Sequence, residues 1–73
     1  MADEFRADLY ITDTGGKERL VDRVYFQGRD WDDAWDRTEV HLKLLRLADG
    51  EACHGEFYRG NAGLEEYGDT VSL

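Results

Sequence analysis

The stretch FRADLYITDTGGKERLVDRVYF, residues 5–26, decides the fold of this chain. Its first part alternates apolar and polar side chains, which predicts a half-buried β-strand. The apolar set is Phe5, Ala7, Leu9 and Ile11. Gly15-Gly16 predicts a two-residue turn, because glycine accepts positive φ. Residues 20–26 then predict the returning strand of a β-hairpin over residues 4–27.

A two-residue turn also predicts the pairing across the hairpin. Asp8 faces Arg23 and Arg6 faces Tyr25 on the outer face, as an ion pair and a cation–π contact. The remaining predicted pairs are Phe5 with Phe26, Ala7 with Val24, Tyr10 with Val21, and Ile11 with Leu20. Only Asp22, opposite Leu9, breaks the apolar inner face. Its position predicts either an exposed border of the sheet or a β-bulge that turns it outward.

A helix is predicted over residues 30–49. Asp30 is a good N-cap, Asp33 stands at the reciprocal position of a capping box, and Gly50 is expected to end the helix. At 100° per residue one face gathers an apolar stripe that is expected to cover the hairpin. This stripe consists of Trp31, Ala34, Trp35, Thr38, His41, Leu42 and Leu45.

Residues 52–59 predict a third strand, with Cys53 inward and His54 outward. A loop is expected at residues 60–63, and residues 60–73 predict a C-terminal arm, either extended or as a short extra strand. The sequence thus predicts a single domain, residues 1–73, of the α+β class. Its small antiparallel sheet has the order ββαβ, with one helix packed on one face.

A second apolar stripe, Val40, Leu44 and Leu47, is expected on the opposite side of the helix. Three explanations remain open for it. The C-terminal arm covers it through Leu64, Tyr67 and Val71; two copies pair across it; or a partner protein docks on it.

Composition narrows the classes of function. The chain has 17 acidic and 9 basic residues and a formal charge of −8, which disfavours direct binding to nucleic acid or to anionic membranes. The start of the chain lacks the pattern of a signal peptide, and no stretch is apolar enough for a membrane span. A cytoplasmic setting and a basic partner are therefore predicted, for a monomer or a homodimer.

The candidates for chemistry favour a protein without catalysis. Cys53 and His54 are neighbours on a predicted strand and point to opposite faces, so they are not expected to share a metal or form a catalytic pair. His41 lies at the edge of the core stripe. Adjacent acids such as Asp32 and Asp33 diverge on a helix and lack the spacing of a calcium loop. No enzyme activity, cofactor or metal site is predicted.

The acidic residues are concentrated in two patches. The first is Asp30, Asp32, Asp33 and Asp36, and the second is Glu65, Glu66 and Asp69. Carboxylates spread over a small rigid body can imitate the phosphates of a duplex and compete for a basic groove. A solvated acidic surface without a partner is the alternative interpretation of both patches.

A small acidic domain with a hairpin around Gly15-Gly16, a helix from Trp31 and a return strand near Phe57 resembles the small anti-CRISPR proteins of phages and mobile elements. This resemblance implies stoichiometric inhibition without catalysis. The inhibitor would block target DNA binding by a type I CRISPR-Cas surveillance complex, as a DNA mimic that uses both acidic patches. The alternative is a protein–protein interaction module, such as a dimeric subunit or a toxin-neutralising partner, that uses Val40, Leu44 and Leu47.

Overall fold

The computed structural model describes residues 2–60 and 64–73. Five elements follow one another along the chain: β1 (Asp3–Thr12), β2 (Glu18–Gly28), α1 (Trp31–Lys43), β3 (Ala52–Arg59) and β4 (Glu66–Ser72). The strands form one antiparallel sheet in the order β2-β1-β3-β4. The predicted α+β class and antiparallel sheet are confirmed, with a fourth strand added. Of the loop predicted at 60–63, residues 61–63 lie outside the described part, as does Met1.

The hairpin register is confirmed for its first half. Phe5 pairs with Phe26, Asp8 with Arg23, and Leu9 with Asp22, as predicted. The register then shifts, so Tyr10 pairs with Leu20 and Ile11 with Arg19. The predicted pairs Tyr10–Val21 and Ile11–Leu20 are wrong, because a β-bulge inserts one extra residue into β2. Asp22 stays exposed at this bulge, which resolves its conflict with the apolar face.

The predicted two-residue turn is also wrong, because three residues, Thr14 to Gly16, form the loop. The Asp13 N–H donates to the Lys17 carbonyl over 2.9 Å, and this pair closes the hairpin. The Asp13 carboxylate accepts the backbone N–H groups of Gly15 and Lys17, each over 2.9 Å. These bonds satisfy the backbone of the longer loop, and Gly16 takes the positive φ of 84° that the loop needs.

The helix begins where predicted, with Asp30 as N-cap, but ends at Lys43 and not at residue 49. Leu44 and Leu45 donate their N–H groups to His41 and Leu42, three residues back. This tighter pattern closes the last turn, and Leu45 packs against the core. Gly50 does have a positive φ of 82°, but it belongs to the turn before β3 and does not cap the helix.

The core lies between α1 and the inner face of the sheet. Ala34, Thr38 and Leu42 of the helix are buried there, whereas Trp35 keeps 37% of its surface exposed. The sheet contributes Phe5, Ala7, Leu9, Ile11, Cys53, Phe57 and Val71. The C-terminal segment is a strand, one of the two predicted alternatives, because β4 pairs with β3. Its Val71 is fully buried.

Candidate interaction surface

Two of the four acids predicted on the helix hold its N-terminus together. The Asp30 carboxylate accepts the Asp33 N–H over 2.8 Å, and the Asp33 carboxylate accepts the Arg29 N–H over 3.0 Å. The Arg29 N–H, aided by the Arg37 guanidinium, lowers the pKa of Asp33 below its usual 3.8. Asp30 and Asp33 therefore act first as capping residues of α1.

The Asp33 cap is expected to make the stability of the protein depend on pH in the acid range. A carboxyl with a lowered folded-state pKa contributes stability above its unfolded pKa and loses it as the pH falls through the folded pKa. Asp33→Asn removes this titration, so we expect the variant to be less stable than the native protein at about pH 7, with a smaller gap near pH 3. Urea unfolding at both pH values measures the two gaps.

The matched control for this prediction is Asp36→Asn, because Asp36 lies one turn later and accepts no hydrogen bond among the described residues. Its stability gap is expected to change less between the two pH values. An equal gap for Asp33→Asn at both pH values would show that the carboxylate does not act through its charge.

Asp32 and Asp36 are exposed, and the described residues offer them no ion pair. They are four residues apart on α1 and so lie on the same side of the helix. Asp69 of β4 joins Asp32 at the rim of a shallow groove of about 170 Å³. The structure thus brings Asp69 of the predicted second patch beside Asp32 of the first, with Asp36 one turn further along the helix. We call Asp32, Asp36 and Asp69 the acidic face.

Glu65 and Glu66, the other acids of the second predicted patch, are each bound by an arginine. The Arg6 guanidinium donates to Glu65 over 2.7 Å, and the Arg59 guanidinium donates to Glu66 over 2.6 Å. Both carboxylates are thereby neutralised within the chain. Neither lines the groove beside Asp32 and Asp69.

The groove beside Asp32 and Asp69 has aromatic walls. Trp31, Trp35 and Phe57 line it together with Gly68. A side chain at Gly68 would place a Cβ 2.5 Å from the Phe57 ring and 2.6 Å from the Trp31 ring. The glycine therefore lets both rings lie directly against β4, and the aromatic groove depends on it.

The second apolar stripe is only partly realised. Val40 and Leu44 are exposed by 56% and 73%, and Leu47, exposed by 42%, lies beyond the end of α1. The three residues therefore do not form one helical stripe, because the helix ends before Leu47. Since β4 extends the sheet beside β3, covering of Val40 and Leu44 by the C-terminal segment is wrong as well. A second copy and a partner protein remain as explanations.

Sequence reasoning missed the concentration of tyrosine on the sheet face opposite the helix. All four tyrosines of the chain, Tyr10, Tyr25, Tyr58 and Tyr67, stand at strand positions that share this face. Tyr58 donates its hydroxyl to Glu56 over 2.8 Å. Burial and the Glu56 carboxylate raise its pKa to about 12. The alternation of tyrosine with inward residues was the signal available in the sequence.

The same face buries a carboxylate. Asp8 was predicted to point outward, and it does, but only 5% of its side chain is exposed. Arg23 donates to it from Nε over 2.8 Å, and the Arg6 Nε lies 3.2 Å away. The Arg6 guanidinium lies over the Tyr58 ring, 4.4 Å from its centre. Arg6 does face Tyr25 across the hairpin, as predicted, but its cation–π contact is with Tyr58, its partner on β3 at the other side of β1.

The residues considered for catalysis lie apart. Cys53 is buried, and burial raises the pKa of its thiol. His54 points to the opposite face and stacks on Tyr10 with 5.0 Å between ring centres. Within residues 2–60 and 64–73 no three His, Cys, Asp or Glu side chains gather as a metal site. No helix of that part is long and apolar enough to cross a membrane.

Comparison of the chain with protein-family models, with curated proteins and with solved structures finds no match.

Proposed function

We propose that this protein is a non-enzymatic inhibitor that binds a basic, nucleic-acid-accepting protein surface through its acidic face. The observation that carries the proposal is the position of Asp32, Asp36 and Asp69. The three carboxylates are exposed and come from the helix and the sheet. None has an ion pair among the described residues.

The electrostatics of the rest of the chain support this choice. Six of the nine basic residues already contact carboxylates of the chain itself. The formal charge of −8 therefore leaves an excess of carboxylates directed to solvent. These carboxylates attract a basic protein surface and can replace the anions or DNA bound to it, and salt weakens this attraction.

The partner that we propose is a type I CRISPR-Cas surveillance complex in the cytoplasm of a bacterial host. The order of elements and the small acidic domain support this choice, because they resemble those of anti-CRISPR proteins of phages and mobile elements. Occupation of the DNA-accepting surface would exclude target DNA by direct competition. The protein then needs no cofactor and performs no reaction.

The test compares the native protein with two variants of equal charge. Asp32→Asn, Asp36→Asn and Asp69→Asn together neutralise the acidic face. The control combines Glu4→Gln, Asp22→Asn and Asp49→Asn, which are exposed acids elsewhere on the chain. Binding to purified type I complexes is measured at about 0.1 M and about 0.5 M salt, together with competition against labelled target DNA.

We expect the native protein to displace the DNA at low salt and to lose most of its binding at high salt. The acidic-face variant should bind about tenfold more weakly, whereas the control should bind within about twofold of the native protein. Equal weakening of both variants would show that net charge alone attracts the complex. No displacement of DNA from any type I complex would contradict the proposed inhibition.

The second candidate function is an interaction module or dimeric subunit that uses an apolar helix surface. The observation that favours it is the exposure of Val40 and Leu44, by 56% and 73%. Association through this surface would be insensitive to salt and would be lost on Leu44→Asp. Salt-resistant capture of a partner that Leu44→Asp abolishes would therefore support this function in place of the acidic inhibitor.

A further inference from the structure

The groove between the start of α1 and β4 combines flat aromatic walls with carboxylates. The Trp31 and Phe57 ring centres lie 6.0 Å apart at 45°, and those of Trp35 and Phe57 lie 6.2 Å apart at 81°. Phe57 is 2% exposed, whereas Trp35 keeps 37% of its surface accessible. Phe57 thus forms a buried aromatic base, beside the exposed Trp35 and the half-buried Trp31.

The charges around the groove are negative. Asp32 stands at one side on the helix and Asp69 at the other on β4. The helix N-terminus contributes about half a positive charge, which Asp30, Asp32 and Asp33 more than offset. Arg59, whose guanidinium lies over the Trp31 ring, is bound to Glu66 over 2.6 Å and lies 3.9 Å from Asp3. A cation entering the groove therefore meets uncompensated carboxylates.

The chain already places a guanidinium on one of these indoles. The Arg59 guanidinium carbon lies 4.8 Å from the centre of the Trp31 ring. Guanidinium groups stack on aromatic faces and are more weakly hydrated than ammonium groups, and they form paired hydrogen bonds with carboxylates. An aromatic groove with a carboxylate on each side offers both kinds of contact to a second arginine.

We propose that this groove binds an arginine side chain of a partner protein, with its guanidinium against Trp35 and between Asp32 and Asp69. The inference rests on the proposed function for the identity of the partner, a basic nucleic-acid-accepting surface. The groove is the part of the acidic face that selects arginine. Asp36, which lines a different groove with Val40 and His41, supplies only long-range attraction.

The groove can be tested without the partner. Both tryptophans of the chain line it, so intrinsic tryptophan fluorescence and the two indole N–H signals in NMR spectra report on it. The ligands are N-acetyl-arginine amide, the lysine analogue, and the citrulline analogue, which has nearly the shape of arginine without its charge. Each is titrated into the full chain at low ionic strength.

We expect saturable shifts of both indole signals with the arginine ligand, in the millimolar range. The lysine ligand should bind about threefold more weakly, and citrulline should give no saturable shift. Asp32→Asn and Asp69→Asn should each weaken arginine binding about fivefold, whereas Asp36→Asn should stay within about twofold of the native protein.

Several results would overturn the inference. Saturable binding of citrulline would show that charge is not recognised, and lysine binding as tight as arginine would remove the preference for a guanidinium. An equal effect of Asp36→Asn would show that the ligand is attracted by the overall negative charge and does not bind in the groove. A thermal unfolding curve of each variant confirms that it is folded before its binding is compared.

Failure of this inference is distinguishable from failure of the proposed function. An empty groove leaves open the displacement of DNA by the native protein, which the complex-binding assay measures directly. Conversely, arginine binding without any effect on CRISPR complexes would retain the groove and reject the proposed partner.

Discussion

Phe5→Ala is expected to leave a large fraction of the protein unfolded at room temperature. Phe5 is 1% exposed and stacks on Phe26 with 5.8 Å between ring centres. It also meets Trp31 edge-on at 5.7 Å. Removal of a buried phenyl ring costs about 3–5 kcal/mol, because contacts are lost and a cavity remains. A domain of this size has a stability of only a few kcal/mol.

Urea unfolding followed by circular dichroism and tryptophan fluorescence measures this loss. The matched control is Tyr25→Ala, which truncates an aromatic side chain on the neighbouring strand that is 68% exposed. The control is expected to lose less than about 1 kcal/mol. An unfolding midpoint of Phe5→Ala close to that of the control would contradict the position of Phe5 at the centre of the core.

The hairpin could be predicted because its signals are local. Alternation predicted β1, and the assumed two-residue turn at Gly15-Gly16 predicted a register that holds up to Leu9–Asp22. It holds there because the extra residue of the three-residue loop is offset by the extra residue of the bulge in β2. The polar Asp22 on the apolar face predicted a bulge as one of two alternatives. The length of the turn depends on hydrogen bonds of the Asp13 side chain. The two glycines alone do not reveal those bonds, so the pairs next to the turn, Tyr10–Val21 and Ile11–Leu20, were predicted wrongly.

The end of the helix depends on tertiary packing more than on the apolar pattern. Periodicity continues through Leu47 in the sequence, yet Leu45 turns into the core and α1 ends at Lys43. The fourth strand also depends on tertiary contacts. Val71 is buried because β4 pairs with the edge of the sheet at β3, whereas the sequence of the C-terminal segment is equally consistent with an extended arm.

The sequence alone does not show which carboxylates are available to a partner. The four acids at the start of the helix form one cluster in the sequence, but two of them are used for capping. Asp69 joins Asp32 only because β4 lies beside the helix N-terminus. Glu65 finds Arg6 across 59 positions of the chain. Which carboxylates remain free for a partner is therefore a property of the fold.

Gly55→Ala is the second substitution with a large expected effect, although it adds only one methyl group. Gly55 is buried in β3 opposite Leu9. An added Cβ would lie 2.8 Å from Cγ2 of Thr38 and 3.1 Å from Cδ2 of Leu9. Thr38 and Leu9 are 0% and 1% exposed, so neither side chain has space to move. We expect a loss of about 1–3 kcal/mol.

The companion substitution Thr38→Ser identifies the contact responsible. Serine removes Cγ2 and keeps the hydroxyl that donates to the Ala34 carbonyl over 2.8 Å. The double variant should therefore be more stable than Gly55→Ala alone, with a favourable coupling of about 1 kcal/mol in a double-mutant cycle of urea unfolding. Additive losses would show that Leu9 resists the methyl group. Recovery would show that Gly55 sets the distance between α1 and the sheet, and with it the position of the helix that carries Asp32, Trp35 and Asp36.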